Sequence, residues 1–335
     1  MFWATKVNAK WHFNDAFADE IKGSAYVKEV GPGVTVAQPG DPVLLSFAFC
    51  EKCEICKAGH YSHCNRFNEL NFGGPDNIFS IASKGDKPDI DGLFFGQSSF
   101  ANLSIVRQCS VVNVKGIVKD KKELQLFAPL GCGIQTGSGT LINVAKATKV
   151  DIVVVMGLGG VGLSAIMGAK IQGSKKIIGI DKVESRLQLA KELGATDVIN
   201  GSNLPSGKSL VEVVKELSEG IGPTVTVDTT GVPALIKQGL EWTRNRGQVI
   251  QVGSAPFDFH LDIEMFSFMV RGVVLRGAIE GQAYPPEYVP KMIQWYREGK
   301  FPIDKLMKFM PADDFEKGLE EMHSGATIKP ILCWS

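Results

Sequence analysis

Four cysteines fall within fifteen residues, in CEKCEICKAGHYSHC, as Cys50, Cys53, Cys56 and Cys64. The spacing C-x2-C-x2-C-x7-C lets one small loop turn four thiolates toward a single ion, and four thiolates close a tetrahedral shell around zinc. A closed shell leaves no position for water or substrate, so the metal expected here is structural and fixes a loop that has no core of its own. His60 and His63 lie in the same loop and compete weakly for the role. An iron–sulfur cluster uses similar spacings and stays open as an alternative.

The second constellation is GLGGVG, which contains Gly157, Gly159, Gly160 and Gly162. In a strand–turn–helix the first glycine permits the tight turn, the next lets backbone approach a pyrophosphate, and the last lets the helix pack on the strand. The helix N-terminus then faces the anion. Asp181 ends a second strand-like run, KKIIGID, nineteen residues after Gly162, where a carboxylate accepts hydrogen bonds from an adenosine ribose. A carboxylate there repels a 2′-phosphate, which favours NAD(H) over NADP(H), although Lys182 and Arg186 lie close by.

These groups need elements to hold them, and the sequence supplies the alternation. DIVVVM (151–156) reads as a β-branched strand and LSAIMGAKIQG as the helix after the glycine turn. A helix with apolar positions at Val183, Leu187, Ala190 and Leu193 ends near Gly194, and TDVIN follows as a strand. TVTVDTTG, a helix from about Pro233 and GQVIQVG repeat the unit, and GVVLRGA (272–278) closes the sheet. The fold class is therefore α/β with a doubly wound parallel sheet. Helices at 285–298 and 312–323 and the strand IKPILCW return to another domain, which makes the first domain discontinuous.

Composition narrows the function. The chain has 335 residues, 44% of them apolar and 21% charged, and 36 basic residues balance 36 acidic ones. A net charge of zero argues against a nucleic-acid partner, and the length suggests two domains. One run of eighteen residues, Ile152 to Ala169, carries no charge, but its glycines favour a buried strand–turn–helix over a membrane span. The opening MFWATKVNAKWHF does not read as a secretory signal, so cytoplasmic residence is expected.

Together the cysteine lobe, PLGCGIQTG (129–137), GLGGVG, the ID pair, VDTTG and the terminal IKPIL resemble the zinc-containing medium-chain alcohol dehydrogenases over about residues 28–335. FFGQSSFA (94–101), PLGCGIQTG and DKVESRLQLAKELGATDVIN (181–200) are most similar to the aryl-alcohol, or benzyl-alcohol, branch, which implies aromatic or hydrophobic alcohols and aldehydes as substrates. The resemblance implies a GroES-like β-rich catalytic domain from residues 1–134 and 281–335, incomplete at its N-terminus, with the zinc lobe at 50–64. A Rossmann NAD-binding domain, 135–280, interrupts it, with substrate in the cleft between the two and homodimers or homotetramers built through the Rossmann sheet edge.

Position by position, the resemblance makes Cys50, Cys53, Cys56 and Cys64 structural-zinc ligands and Asp181 the ribose carboxylate. It sets Arg186 beside the adenosine, Val161 and Thr136 against the nicotinamide, and Lys329 at the pyrophosphate. Cys132 matches one of three ligands of the family's catalytic zinc, so Cys132 and Thr136 are the candidate catalytic residues. The other two ligands come from a G-x-C-H-[ST]-D segment, which the chain does not contain, and from a GHE segment, where Ile21 and Lys22 stand in place of the His-Glu pair. His12 is the one histidine nearby, and its spacing matches no ligand position.

Three readings follow. The first is an NAD(H)-linked alcohol oxidoreductase with a structural zinc. A second keeps the fold and dispenses with catalytic zinc, as a reductase or redox-neutral enzyme. The third is a nucleotide-binding remnant without turnover. For hydride transfer without zinc, Tyr26, Ser46 and Thr136 are the candidate donors to a developing alkoxide.

Overall fold

The computed structural model describes residues 23–72, 94–97, 99 and 103–334. His12, Ile21 and Lys22 lie outside them, as do parts of FFGQSSFA.

Three strands open the described chain: β1 (Gly23–Tyr26), β2 (Pro42–Leu45) and β3 (Val111–Asn113), antiparallel and in that order. Val43, Leu44 and Leu45 of β2 are all buried, as suits the middle strand of a covered sheet. Two short helices, α1 (Glu54–Lys57) and α2 (Phe67–Asn71), carry the cysteine loop. Asp120 then caps α3 (Lys121–Phe127), its carboxylate accepting the Glu123 N–H at 2.8 Å. The next helix, α4 (Gly133–Gly139), holds three glycines among its seven residues including both ends and is buried throughout. Such a sequence has poor intrinsic helicity, and packing holds it. A Cβ on Gly137 would come 2.0 Å from the Val161 carbonyl oxygen, so the helix backbones touch there and no larger residue fits.

The central sheet is assembled from β4 (Ile152–Met156), α5 (Gly160–Ile171), β5 (Lys176–Asp181), α6 (Glu184–Leu193), β6 (Asp197–Asn200), α7 (Leu210–Leu217), β7 (Val225–Asp228), α8 (Pro233–Trp242), β8 (Gln248–Gln251), α9 (Met265–Arg271) and β9 (Val274–Gly277). Its six strands are parallel, in the order β6-β5-β4-β7-β8-β9. All five residues of β4 are buried, which is why its run is apolar without alternation. The charge-free segment resolves into β4, the glycine turn and α5, and among the described residues no helix is long and apolar enough to cross a membrane. Val183 serves as N-cap of α6 and stands outside its apolar stripe.

The chain then forms α10 (Pro285–Arg297), β10 (Met307–Pro311), α11 (Phe315–Ser324) and β11 (Lys329–Cys333). Strands β10 and β11 pair in parallel, α10 packs on β3, and α3 touches both β1 and β11. One continuous apolar core runs from Leu44 and Val112 through Phe127 and Ile134 to Val153, Leu163 and Phe301.

Candidate functional site

In the cysteine lobe the Sγ atoms of Cys50, Cys53, Cys56 and Cys64 all lie within 4.8 Å of one another, and Cys50 and Cys56 are 3.9 Å apart. Zinc–sulfur bonds of about 2.3 Å at tetrahedral angles would set neighbouring sulfurs about 3.8 Å apart, so the cluster has the size of a closed zinc shell. Neither histidine joins it: His63 turns away to Gln282 at 3.0 Å. Backbone N–H groups point at the sulfurs, from Cys53 to Cys50 (3.3 Å), Cys56 to Cys53 (3.5 Å), and Cys50 and Arg66 to Cys64 (3.4 Å each). They hold the Cys53 thiol down to about 6, while burial pushes Cys56 up to about 12. A bound cation would draw all four into the thiolate form. The lobe leans on the turn that follows β9: Tyr61 stacks on Tyr284 with centroids 4.4 Å apart.

The second site lies where the sheet reverses its order, between β4 and β7, whose carboxyl ends open a crevice. Gly157 turns there with φ +84°, a value that favours glycine. A Cβ on Gly162 would stand 1.8 Å from the Gly157 carbonyl oxygen, so α5 can start this close to β4 only because that residue is glycine. Thr229, from VDTTG, closes the other wall by donating its hydroxyl to the Met156 and Gly157 carbonyls at 2.8 and 3.0 Å. Asp181 ends β5 beside this turn. Its Oδ2 accepts the Leu158 N–H at 2.7 Å, and its Oδ1 accepts those of Lys182 (2.7 Å) and Val183 (2.9 Å). Three bonds leave carboxylate capacity over for a ligand hydroxyl. Arg186 comes within 3.9 Å of Asp181 and donates to the Met322 carbonyl. Lys329 is buried, and its side chain crosses Gly160, whose Cβ would meet the lysine Cε at 2.0 Å. Val161, the second residue of α5, brings its carbonyl against Gly137 of α4.

A third group sits at the head of α4 and contains a residue the sequence reading passed over. Cys132, buried, lies with its Sγ 3.5 Å from Oε1 of Glu280, which is 2% exposed. The other oxygen of Glu280 accepts from Gln135 Nε2 at 2.8 Å, and the Thr136 hydroxyl bonds to the same carboxyl. Gln135 also reaches Ser46 Oγ (2.9 Å) and the Gly131 carbonyl (2.8 Å), and Gln97 donates to the Ser46 carbonyl at 2.9 Å. Burial pushes the Glu280 carboxyl up to about 7, opposed by those hydrogen bonds. Of the proposed donors, Ser46 and Thr136 belong to this network, whereas Tyr26 is 51% exposed in a cavity beside Trp334 and Cys333. Cys109 packs at the edge of the zinc lobe.

The backbone that delivers Glu280 is unusual. Glu280, Gly281 and Gln282 have φ of 52°, 59° and 48°, three consecutive left-handed residues. Non-glycine residues in that region cost about 1–3 kcal/mol each, and they persist where the surroundings enforce them. Gly281 is pressed onto α4, where its Cβ would lie 2.4 Å from the Gln135 carbonyl oxygen and 2.8 Å from Gly139 Cα. Nothing in the local segment IEGQ marks the acid, because its partners Cys132 and Gln135 come from a distant part of the chain.

A glycine turn and ribose-type carboxylate at the switch point of such a sheet, joined to a four-cysteine metal lobe, define a dinucleotide-dependent oxidoreductase with a zinc module. Comparison with known proteins agrees. Residues 160–298 match the model for zinc-binding dehydrogenase, and residues 20–115 that for the alcohol dehydrogenase GroES-like domain. Geraniol dehydrogenase from Castellaniella defragrans is 36% identical over 313 residues, 93% of this chain and 82% of that protein. The crystal structure of benzyl alcohol dehydrogenase from Acinetobacter calcoaceticus superposes with a TM-score of 0.84 at 36% identity, covering 94% of this chain and 83% of that one. An alcohol dehydrogenase zinc-binding domain protein from Burkholderia ambifaria gives the same TM-score, 0.84, and identity, 36%, over 92% and 82% of the two chains. The chain belongs to the zinc-containing medium-chain alcohol dehydrogenase family. It is an oxidoreductase of the alcohol dehydrogenase type that interconverts alcohols and aldehydes with NAD(H), and its Cys50–Cys64 cluster is consistent with structural zinc.

Proposed function

We propose that the protein interconverts an aryl or other hydrophobic primary alcohol and its aldehyde with NAD(H), in the crevice between the Rossmann sheet and the β1–β3 domain. The observation that carries this reading is the meeting of the two domains at the head of α4: Cys132 faces Glu280, and Ser46 meets Gln135, beside the contact of Gly137 with Val161 of the glycine turn. The substrate class follows the names of relatives, which act on geraniol and benzyl alcohol. Residues 1–134 and 281–335 form the catalytic domain in this reading, and 135–280 the nucleotide domain.

NAD+ supplies a hydride acceptor when bound. Asp181 takes the adenosine ribose hydroxyls, with Arg186 alongside; the N–H groups after Gly159 and the Lys329 ammonium face the pyrophosphate; Thr136 and Val161 pack the nicotinamide. Oxidation would pass the carbon-bound hydride to that acceptor and the hydroxyl proton to water, so that aldehyde, NADH and a solvated proton balance the reaction. In this family a zinc ion polarises the substrate oxygen, and Cys132 is the position for it that the described residues retain.

The exposed apolar residues Met265, Phe266, Met269 and Val270 of α9 adjoin edge strand β9, where Val274 is also exposed. In our reading this edge joins a second copy into a homodimer or dimer-based tetramer. Seven cysteines outside any disulfide, four of them gathered for metal, suit a reducing compartment, which we take to be the cytoplasm.

The test is saturable NADH binding, followed by fluorescence, together with NAD+-dependent oxidation of benzyl and terpene alcohols. Tight NADH binding with turnover of such alcohols is expected; absence of saturable NADH binding would overturn the reading.

A further inference from the structure

We propose that Glu280 is a metal ligand, pairing with Cys132 as a thiolate–carboxylate edge for a zinc-type divalent cation at the head of α4. This rests on reading Cys132 as an active-site metal position, and it adds a ligand from a different part of the chain.

The geometry fits first. Metal–sulfur and metal–oxygen bonds of about 2.3 and 2.1 Å at tetrahedral angles set the two donor atoms about 3.6 Å apart. Cys132 Sγ and Glu280 Oε1 are 3.5 Å apart.

The second argument is charge. Among the described residues the groups acting on the Glu280 carboxyl are the hydrogen bonds of Gln135, Cys132 and Thr136, none of them charged. A fully buried carboxyl without a cationic neighbour is costly to ionise, and buried charges are paired or hold metals.

The third is orientation. Gln135 Nε2 grips Oε2 at 2.8 Å and leaves Oε1 toward the sulfur, the arrangement in which an outer partner fixes a one-oxygen ligand. Gln135 Oε1 and Gln97 Oε1, both buried, have no hydrogen-bond partner among the described residues, so the polar pocket around the pair holds acceptor capacity that these side chains do not use. The left-handed turn supplies the fourth argument, because two non-glycine residues kept in a costly conformation deliver this one carboxyl to Cys132. An edge of two donors leaves the remaining positions of an open site to further donors, water or a substrate oxygen.

The experiment is cobalt(II) titration of the full chain by equilibrium dialysis and absorption, beginning with the cysteine lobe filled by zinc. Wild type should take up one further cobalt per chain with a thiolate-to-cobalt band. Glu280→Gln, which keeps the hydrogen-bonding shape, should weaken that site by more than the roughly 10- to 100-fold that loss of an outer partner costs. Cys132→Ser should abolish the band. NADH binding and the zinc content of the lobe report folding in each variant.

Should Glu280→Gln fail to fold, X-ray absorption of the wild-type second site decides, since one sulfur with oxygen neighbours is expected. Lack of cobalt uptake beyond the zinc-filled lobe, wild-type affinity in a folded Glu280→Gln, or a second site without sulfur would each overturn the proposal. Cobalt uptake does not depend on turnover, so a chain that fills this site yet binds no NADH would sink the dehydrogenase reading and leave the ligand assignment standing.

Discussion

In the proposed function Asp181 carries two tasks on one carboxylate, bracing the glycine turn and taking the ribose. Its oxygens already brace the glycine turn through the Leu158, Lys182 and Val183 N–H groups, and it is nearly buried, 7% exposed at the side chain. Removing it should therefore damage both folding and binding. Asp181→Ala leaves backbone donors unpaired, at about 1–3 kcal/mol, and it removes the charge that repels a 2′-phosphate. Urea denaturation should register the first effect. Steady-state kinetics with both dinucleotides should register the second, as a higher KM for NAD+ and a lower one for NADP+; unchanged preference would mean that Asp181 is only a brace. Asp181 could be read from the sequence because its task depends on local spacing after Gly162. Glu280 could not, since its partners Cys132 and Gln135 are 148 and 145 residues away and meet it only through the fold.

At the level of elements, strands β4 to β9 were legible because each is a short apolar run ended by a turn, with helices between them. The helix α4 was not. GCGIQTGSG has the composition of a loop, and it is helical because α5 presses close against it along Gly137 and Gly168. The turn at 280–282 is a second product of packing, held from one side by α4 through Gly281 and from the other by the zinc lobe through His63–Gln282 and Tyr61–Tyr284. Gly281→Ala, strained in backbone and clashing with the Gln135 carbonyl, should cost roughly 2–5 kcal/mol, seen as a lower denaturation midpoint. Chelation of the lobe metal should act on the same turn from its other face. Loss of NAD+-dependent activity is expected to track zinc release from Cys50, Cys53, Cys56 and Cys64, although none of them touches Glu280. Full activity after that release would show that the turn stands without the lobe.

For the whole molecule, the exposed row on α9 and the open edge of β9 make association an expected property. Analytical ultracentrifugation should show a dimer or tetramer, and Val270→Glu, at 63% exposure, should shift it toward monomer with little change in the folded core; a wild-type monomer would remove this surface from the account. The general architecture was readable from motif order, whereas the continuous core running from Leu44 to Phe301 was not, because it depends on α10 packing on β3 and α4 and on α4 packing on α5.

Lys329 shows what such a return of the chain entails. It belongs to the last strand, yet it lies over Gly160 in the middle of the sequence. During synthesis the glycine turn leaves the ribosome long before the lysine that covers it. The sheet can thus form early, while in the proposed function the dinucleotide seat is finished only after residue 329 has emerged, so a nascent chain halted before that point is expected to be folded in its centre and to bind NADH weakly.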